Sequence, residues 1–427
     1  MSLVVQKFGG SSVADTEHIK KVAGRIITAV AEGNQVAVVV SAMGDTTDDL
    51  IDLANQVTDH APAREMDILL TAGERISMSL LAMAVTKLGT DLNIRAKSFT
   101  GQQAGIQTTK VYGHARISWV EPERILSTLD KGDVAIIAGF QGINKQSNDV
   151  TTLGRGGSDT TAVAIAAAIG ADICEIYSDV DGVFTSDPRV CKKAHKLDFI
   201  TYEEMLELSA SGAKILALRC VEYARRFNVK LRVRSSFNQN VGTVIAKEDE
   251  MFTDDLEAPL ISGIAHDTTQ SKITLVGIPD KPGVAAQIFE TIAGAGVNVD
   301  MVVQNVSTTA DGKTDISFTI PSEFGQKAID ILKSLIEELE ASNVVLDDNI
   351  AKISVVGAGM KTNSGVCAKF FSALSIAGIN IEMISTSEIR ISVITRAEEF
   401  EHAVNVLHSA FGLDADAEAV VYAGTGR

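Results

Sequence analysis

Short hydrophobic runs recur through the first half of the chain, each ended by glycine or polar residues. Leu3-Val4-Val5, Val36 to Val40, Ala135 to Phe140 and Ile173 to Tyr177 are too short for buried helices and rich in β-branched residues, so they predict buried strands. Between them, Arg64 to Leu88, Asp159 to Ile169 and Ala217 to Phe227 carry helical periodicity and composition. Strands alternating with helices predict an α/β domain on a largely parallel sheet. The pattern changes near residue 250. There KEDEMFTDDLEAP, Lys247 to Pro259, is acidic, poor in apolar residues and closed by proline, which reads as a linker.

Beyond the linker the chain repeats itself. Ile273-Thr274-Leu275-Val276-Gly277 answers to Ile353-Ser354-Val355-Val356-Gly357, and Ala295-Gly296-Val297-Asn298 answers to Ala377-Gly378-Ile379-Asn380, at offsets of 80 and 82 residues. Two copies of one unit therefore differ by a small insertion. Each reads strand, helix, strand, strand, helix, with closing strands expected at Val344 to Leu346 and Val420 to Tyr422. The expected organisation is an α/β domain over 1–248, a linker over 249–259, and two βαββαβ units over 260–346 and 347–427. The glycine-ended first strand and the Gly-Val-Asn or Gly-Ile-Asn before the second strand resemble the ACT domain, a ferredoxin-like module that binds amino acids between paired copies. In related proteins one such unit is threaded into the other, which would displace the repeat boundary.

Composition narrows the class. At 427 residues the chain is longer than one core usually grows, so two or three domains are expected. MSLVVQKFGG has no cationic, apolar leader and no segment approaches roughly 18 unbroken apolar residues, so neither secretion nor a membrane span is expected. Cytoplasmic residence follows. Cys174, Cys191, Cys220 and Cys367 lack CxxC spacing, which predicts free thiols rather than disulfides or a structural metal. The net charge of −17 disfavours nucleic acid and anionic membrane, so any phosphate chemistry must rest on local cations.

Such cations sit beside glycine. Lys7-Phe8-Gly9-Gly10-Ser11-Ser12 follows the first strand, and its glycines let backbone N–H groups approach an anion closely. Gly154-Arg155-Gly156-Gly157-Ser158-Asp159 precedes an alanine-rich helix, which Ser158 or Asp159 is expected to cap; Arg155 offers a planar fork for carboxylate or phosphate. Ser41 to Thr47, SAMGDTT, stands at a strand end. Glu74, in Thr71-Ala72-Gly73-Glu74-Arg75, either supports a helix N-terminus or meets a ligand. Lys214, expected at the start of an apolar helix, is either a snorkelling surface lysine or functional. Ser178-Asp179-Val180-Asp181-Gly182-Val183-Phe184 leads to Ser186-Asp187-Pro188-Arg189; its glycine falls too early for a calcium loop.

Taken in order, KFGGSS, SAMGDTT, TAGER, GRGGSDTTA, SDVDGVFTSDPR, GAKIL and the paired ACT-like units resemble the aspartate kinase family over essentially the whole chain. The resemblance implies the amino-acid kinase fold, a mainly parallel open sheet sandwiched by helices. It also implies transfer of phosphate from ATP, with Mg2+, to the side-chain carboxylate of L-aspartate, giving 4-phospho-L-aspartate and opening lysine, threonine and methionine biosynthesis. Lys7, Asp159 and Lys214 would then be catalytic, with Asp159 organising the lysines. Ser41, Thr47, Glu74, Thr152, Arg155 and Ser158 would bind aspartate, Arg155 through its α-carboxylate and Glu74 through its ammonium. Lys7, Phe8, Gly9, Gly10, Ser11, Ser178, Asp179, Asp181, Phe184, Arg189 and Lys214 would bind the nucleotide. The family often has tyrosine where this chain has Phe184, which leaves stacking or packing but no hydroxyl. No protein cage for the metal is expected, since magnesium would ride on phosphate oxygens and water.

The ACT-like units imply feedback by lysine, threonine or both. Asp280, Gly283, Ala285, Asn298, Asp300 and Gln304 would line one face, and Asn380, Ile381, Thr386, Ser387 and Glu388 the matching one. A site shared between chains implies a homo-oligomer. Met251 is placed to start a separate regulatory subunit, and no dehydrogenase domain is expected after the second unit. Other readings are weaker. Gly312-Lys313-Thr314 ends like a P-loop, but position 307 is Ser307; Val356-Gly357-Ala358-Gly359 lies inside the second repeat, where no dinucleotide half can form. A kinase for glutamate, acetylglutamate or a nucleotide would not normally pair TAGER with tandem ACT-like units. A non-enzymatic amino-acid sensor would not need Lys7, Glu74, Arg155, Asp159 and Lys214 together.

Overall fold

A computed structural model describes residues 2–250, 261–304, 312–360, 363 and 365–422. Residues 251–259 of the expected linker, Met251 included, and Ser307 lie outside them. The principal sheet has eight strands in the spatial order Phe199–Thr201, Thr243–Ala246, Leu231–Ser235, Ile173–Ser178, Leu3–Phe8, Gln35–Val40, Val134–Ala138, Ala96–Phe99. Every neighbouring pair is parallel except Leu231–Ser235 with Thr243–Ala246. The central strands are nearly continuous in valine, isoleucine and alanine because helices cover both faces. Val5, Ala37 and Val39 pack with the helix Gly157–Ile169 on one face. Phe8, Val36, Val38 and Val40 pack with the helices Thr16–Ala31 and Ala72–Leu88 on the other.

Leu3–Phe8 lies between Gln35–Val40 and Ile173–Ser178. The chain leaves it through Thr16–Ala31 to one neighbour and reaches the other through Gly157–Ile169 on the opposite face. Its carboxyl end is thus a point where connections diverge, which is where open α/β sheets receive ligands. The predicted Arg64 to Leu88 helix is two segments, Ala63–Leu70 and Ala72–Leu88, meeting at Thr71. The stretch is long and apolar enough to span a bilayer by length and composition. Its Met78, Leu81 and Val85 instead fill the core against the sheet.

The two later sheets correct the repeat reading at one strand. Val302–Gln304, Lys313–Pro321, Gln270–Pro279 and Asn343–Asp347 form one sheet in that order, closed as expected near Val344 to Leu346. The other runs Gly263–Asp267, Ile350–Val356, Arg390–Arg396, Met383–Thr386. Its outer place is taken by Gly263–Asp267, antiparallel to Ile350–Val356, and not by Val420 to Tyr422. Residues 270–347 are therefore inserted between two strands of the second sheet. The expected boundary between 346 and 347 does not separate the sheets. Burial explains the choice: Ile261 and Ile264 enter the core with Ile353, Val355, Phe370 and Leu407, whereas Val420 is 53% exposed and Val421 bridges to Val180.

Candidate active site

Four strand ends converge at the divergence point. Lys7, two residues on from Val5, shares its face of the strand and so faces the helix Gly157–Ile169, where its Nζ lies 2.6 Å from Asp159 Oδ1 with both side chains largely buried. A Cβ built on Gly9 would stand 3.5 Å from that ammonium, so the cation lies against the glycine pair. Ser41 N–H donates to Phe8 O (3.1 Å) and Gly44 N–H to Gly10 O (3.1 Å), which ties the 41–47 loop to the 9–12 turn. Ser11 belongs to the short turn Gly10–Val13, and Thr47 to the first turn of Thr46–Val57.

The glycine-rich loop before Gly157–Ile169 differs from expectation in its cap. Gly156 occupies the N-cap with no side-chain cap bond, so neither Ser158 nor Asp159 caps the helix. Gly156 has φ +69°, and a Cβ there would fall 2.2 Å from Ala217 Cβ; only glycine permits both. Asp159 is turned to Lys7 instead, and Ser158 is buried beside Gly139. Gly157 N–H donates to Gly154 O (3.0 Å), while no side chain caps the next amides, those of Ser158 and Asp159, which suit an anion. Arg155 is exposed and makes no hydrogen bond or ion pair to any described residue.

Glu74 reaches the site from the helix Ala72–Leu88. Gly73 packs so closely on Ala42 (2.6 Å from a built Cβ to Ala42 Cβ) that the glutamate is carried under the 41–47 loop. Its Oε1 accepts Ala42 N–H at 3.1 Å. Its Oε2 is buried without a partner among the described residues, and the side chain is 3% exposed. Burial raises its pKa from 4.5 to about 7, against the lowering effect of backbone N–H bonds. The folded pKa is therefore above the unfolded one, and between pH 4.5 and 7 the folded protein holds the extra proton. Its contribution to stability must fall as pH rises through that window. Relative to Glu74→Gln, the wild type should lose about 3 kcal/mol of unfolding free energy between pH 4.5 and 7.5. Denaturant titrations of both proteins at the two pH values check this.

Asp67 was not singled out by its sequence context, yet it organises the same region. It is 1% exposed and accepts N–H bonds from Gly113 (2.9 Å) and Thr152 (3.0 Å) and the Thr152 hydroxyl (2.6 Å). The Thr152 hydroxyl is thereby committed to Asp67 as donor. Only the fold reveals this, because the pair is 85 residues apart.

The remaining expected residues divide. Ser178 Oγ donates to Asp179 Oδ1 (2.9 Å) and Asp179 pairs with Arg189 (2.8 Å). Asp181 accepts from Asn240 Nδ2 (2.9 Å) and Asn238 Nδ2. Phe184 packs against the core of the second ACT-like unit, so of the two roles open to it the structure gives packing. Lys214 lies in the connection before Leu218–Phe227 and not in the helix start expected. It is exposed beside His266, whose pKa is lowered first by burial and further by the Lys214 charge; nothing holds it against Lys7.

An amino acid kinase family model matches residues 2–235, and an ACT domain model matches 273–335 and 353–411. The aspartokinase of Mycobacterium bovis is 56% identical over 427 residues, all of this chain and all of that one. The chain belongs to the aspartokinases. It is a phosphotransferase whose acceptor is a carboxyl group. Two structures of E. coli aspartokinase III share its fold at 24% identity, each covering 96% of this chain and 99% of that one. One, with aspartate and ADP, gives a TM-score of 0.79; the other, with lysine and aspartate, gives 0.68.

In this aspartokinase the expected effector residues surround two helix starts and loops. Gly283 (φ +102°) begins Val284–Gly294 without a side-chain cap, Ala285 lies in its first turn, and Asp280 N–H donates to Gly312 O (2.9 Å). Asp300 precedes Val302–Gln304, which ends in Gln304, and Asn298 lies in the loop before them. The Asp300 carboxylate pairs with Lys352, an ammonium 1% exposed that also donates to Ala210 O (3.2 Å) at the end of the kinase helix Tyr202–Ala210. Lys352 escaped the sequence reading because Ile350–Val356 alternates like an ordinary strand. In the second unit Asn380 and Ile381 line a shallow cavity of about 350 Å³ with Phe371 and Ser375. Thr386 ends a strand, Ser387 N–H donates to Arg390 O (2.8 Å), and Glu388 follows.

Proposed function

We propose that the chain moves the γ-phosphoryl group of MgATP to the side-chain carboxylate of L-aspartate, forming 4-phospho-L-aspartate at the head of lysine, threonine and methionine synthesis. The nucleophile is already ionised at neutral pH, so the chemistry needs charge neutralisation and alignment rather than a base. The observation that carries the reading is the Lys7–Asp159 pair, 2.6 Å apart beside Gly9 and a helix start without a side-chain cap. Lys7, with Lys214 arriving from its exposed connection, would neutralise the moving phosphoryl charge. Arg155, lacking a partner, would clamp the α-carboxylate, and the unpartnered Oε2 of Glu74 would receive the ammonium. Ser41, Thr47, Thr152 and Ser158 would complete the aspartate side, Thr152 through the place Asp67 gives it.

The 9–11 turn and the Ser178 to Arg189 loop would hold the nucleotide. Among the described residues no cluster of three or more histidine, cysteine or carboxylate side chains suits a metal, and Asp159 and Asp179 are each paired with a cation. That donor set fits a magnesium ion carried mainly by phosphate oxygens and water. Residues 1–248 would form the catalytic domain and 249–259 the linker, with the paired ACT units beyond it taking lysine, threonine or both and joining chains into an oligomer. A regulatory subunit begun at Met251 would retain the Gly263–Asp267 strand. The nucleotide substrate argues for a cytoplasmic enzyme. Incubating the full chain with MgATP, L-aspartate and hydroxylamine tests the reading: an aspartyl hydroxamate is expected, and equal turnover of L-glutamate would overturn the substrate assignment.

A further inference from the structure

The 413–422 segment, expected to close the second ACT sheet, runs back across the kinase domain instead. Asp414 bridges to Ala194, Ala415 N–H donates to Lys193 O (2.8 Å), and Ala419 N–H to Lys192 O (2.9 Å). Val421 then bridges to Val180, and Tyr422 N–H donates to Asp179 O (3.0 Å). The Tyr422 ring stacks on Phe237 (centroids 6.2 Å, planes 17° apart), and its Oη lies 3.4 Å from Asp181 Oδ2. The segment is rooted in the ACT unit. His408, on Phe400–Ala410, is fully buried, with its ring nitrogens 2.8 Å from Thr185 Oγ1 and from Asp414 Oδ1.

We propose that Tyr422 is a positioning residue for the nucleotide, holding the Asp179-Val180-Asp181 loop in the shape that receives ATP. The inference rests on the reading that this loop belongs to the nucleotide site. Two carboxylates there would repel a polyphosphate unless each were engaged. Asp179 is engaged by Arg189, and Asp181 by two asparagine amides and the Tyr422 hydroxyl. The backbone bond at Asp179 and the stack on Phe237 fix the hydroxyl in place. ATP affinity therefore depends on a side chain delivered by the regulatory half of the chain.

Steady-state kinetics on full-length Tyr422→Ala, Tyr422→Phe and Asp179→Asn test this, with melting temperature as a fold check. Tyr422→Ala loses both stack and hydroxyl contact and should raise the KM for ATP roughly tenfold, leaving the KM for aspartate unchanged. Tyr422→Phe keeps the stack and should raise it about two- to threefold. If Asp179→Asn weakens ATP but neither tyrosine variant does, the loop binds nucleotide and the role of Tyr422 is wrong. If Asp179→Asn leaves the ATP KM unchanged, the nucleotide reading of the loop falls, and the inference with it. Equal effects on both substrates, or a lowered melting temperature in both tyrosine variants, would make Tyr422 a general structural contact and overturn the positioning role.

Discussion

Replacing Lys7 by alanine should lower kcat by on the order of 10²–10³-fold while the protein stays folded. The ammonium sits at the carboxyl end of the central strand, 2.6 Å from Asp159 and beside Gly9. Charge developing on the transferred group would meet it in a partly closed site where a fixed cation counts for more than in water. Removing it also leaves the Asp159 carboxylate uncompensated in the path of an anionic substrate, so the loss includes a new repulsion. The strand itself is held by parallel neighbours on both sides, which is why the fold should survive. Initial rates at saturating ATP and aspartate, with circular dichroism as control, decide the matter; a near-normal kcat would remove Lys7 from the chemistry.

The second large effect concerns regulation. Lysine, threonine or the two together should weaken substrate affinity by roughly 5–150-fold, the range of an ordinary coupling between sites. An effector regulates only through a difference in its affinity for two arrangements of the protein. Such a difference is available where Lys352 joins Asp300 of the first ACT unit to the carbonyl end of a kinase helix. Asp280 stands just before the helix start at Gly283, which has no side-chain cap, so Asp280→Ala should shift the inhibitory concentration upward at least tenfold. Calorimetric titration of the full chain with each amino acid and with both provides the check. No binding in any combination, with an insensitive enzyme, would leave the ACT pair as an assembly module.

What the sequence made legible was local. The central strands and the alanine-rich helix are continuous apolar runs, and Lys7, Gly9, Arg155 and Asp159 sit in motifs a few residues long, so each could be found without knowing what it touches. The residues that escaped act at a distance. Asp67 serves Thr152 and Gly113, Lys352 serves Asp300 and Ala210, and Tyr422 serves Asp181 across 241 positions. None carries a spacing that distinguishes it from an ordinary helix, strand or tail residue. The cap at Gly156 was misread for a related reason: serine and aspartate favour caps, but Asp159 had a stronger partner in Lys7. The strand exchanged into the second sheet was hidden because Gly263–Asp267 precedes the first repeat by sequence and joins the second through contacts visible only in the fold: Ile264, the His266–Phe400 stack and its pairing with Ile350–Val356.

The insertion of residues 270–347 between Gly263–Asp267 and its partner strand also imposes an order on synthesis. Gly263 pairs with Val356, so at roughly 5–20 residues per second the strand waits about 5–20 s on the ribosome for its partner. During that interval the unit over 270–347 can complete its own four strands, because all of its pairings lie within that stretch. Gly263–Asp267 meanwhile stands as an unpaired edge with Ile264 uncovered, open to pairing with another nascent chain. Polysomes carrying many copies would thus be where strand exchange between chains arises, and the second ACT unit would close after the first, because its Gly263–Val356 pair spans more of the chain than any strand pair within the first.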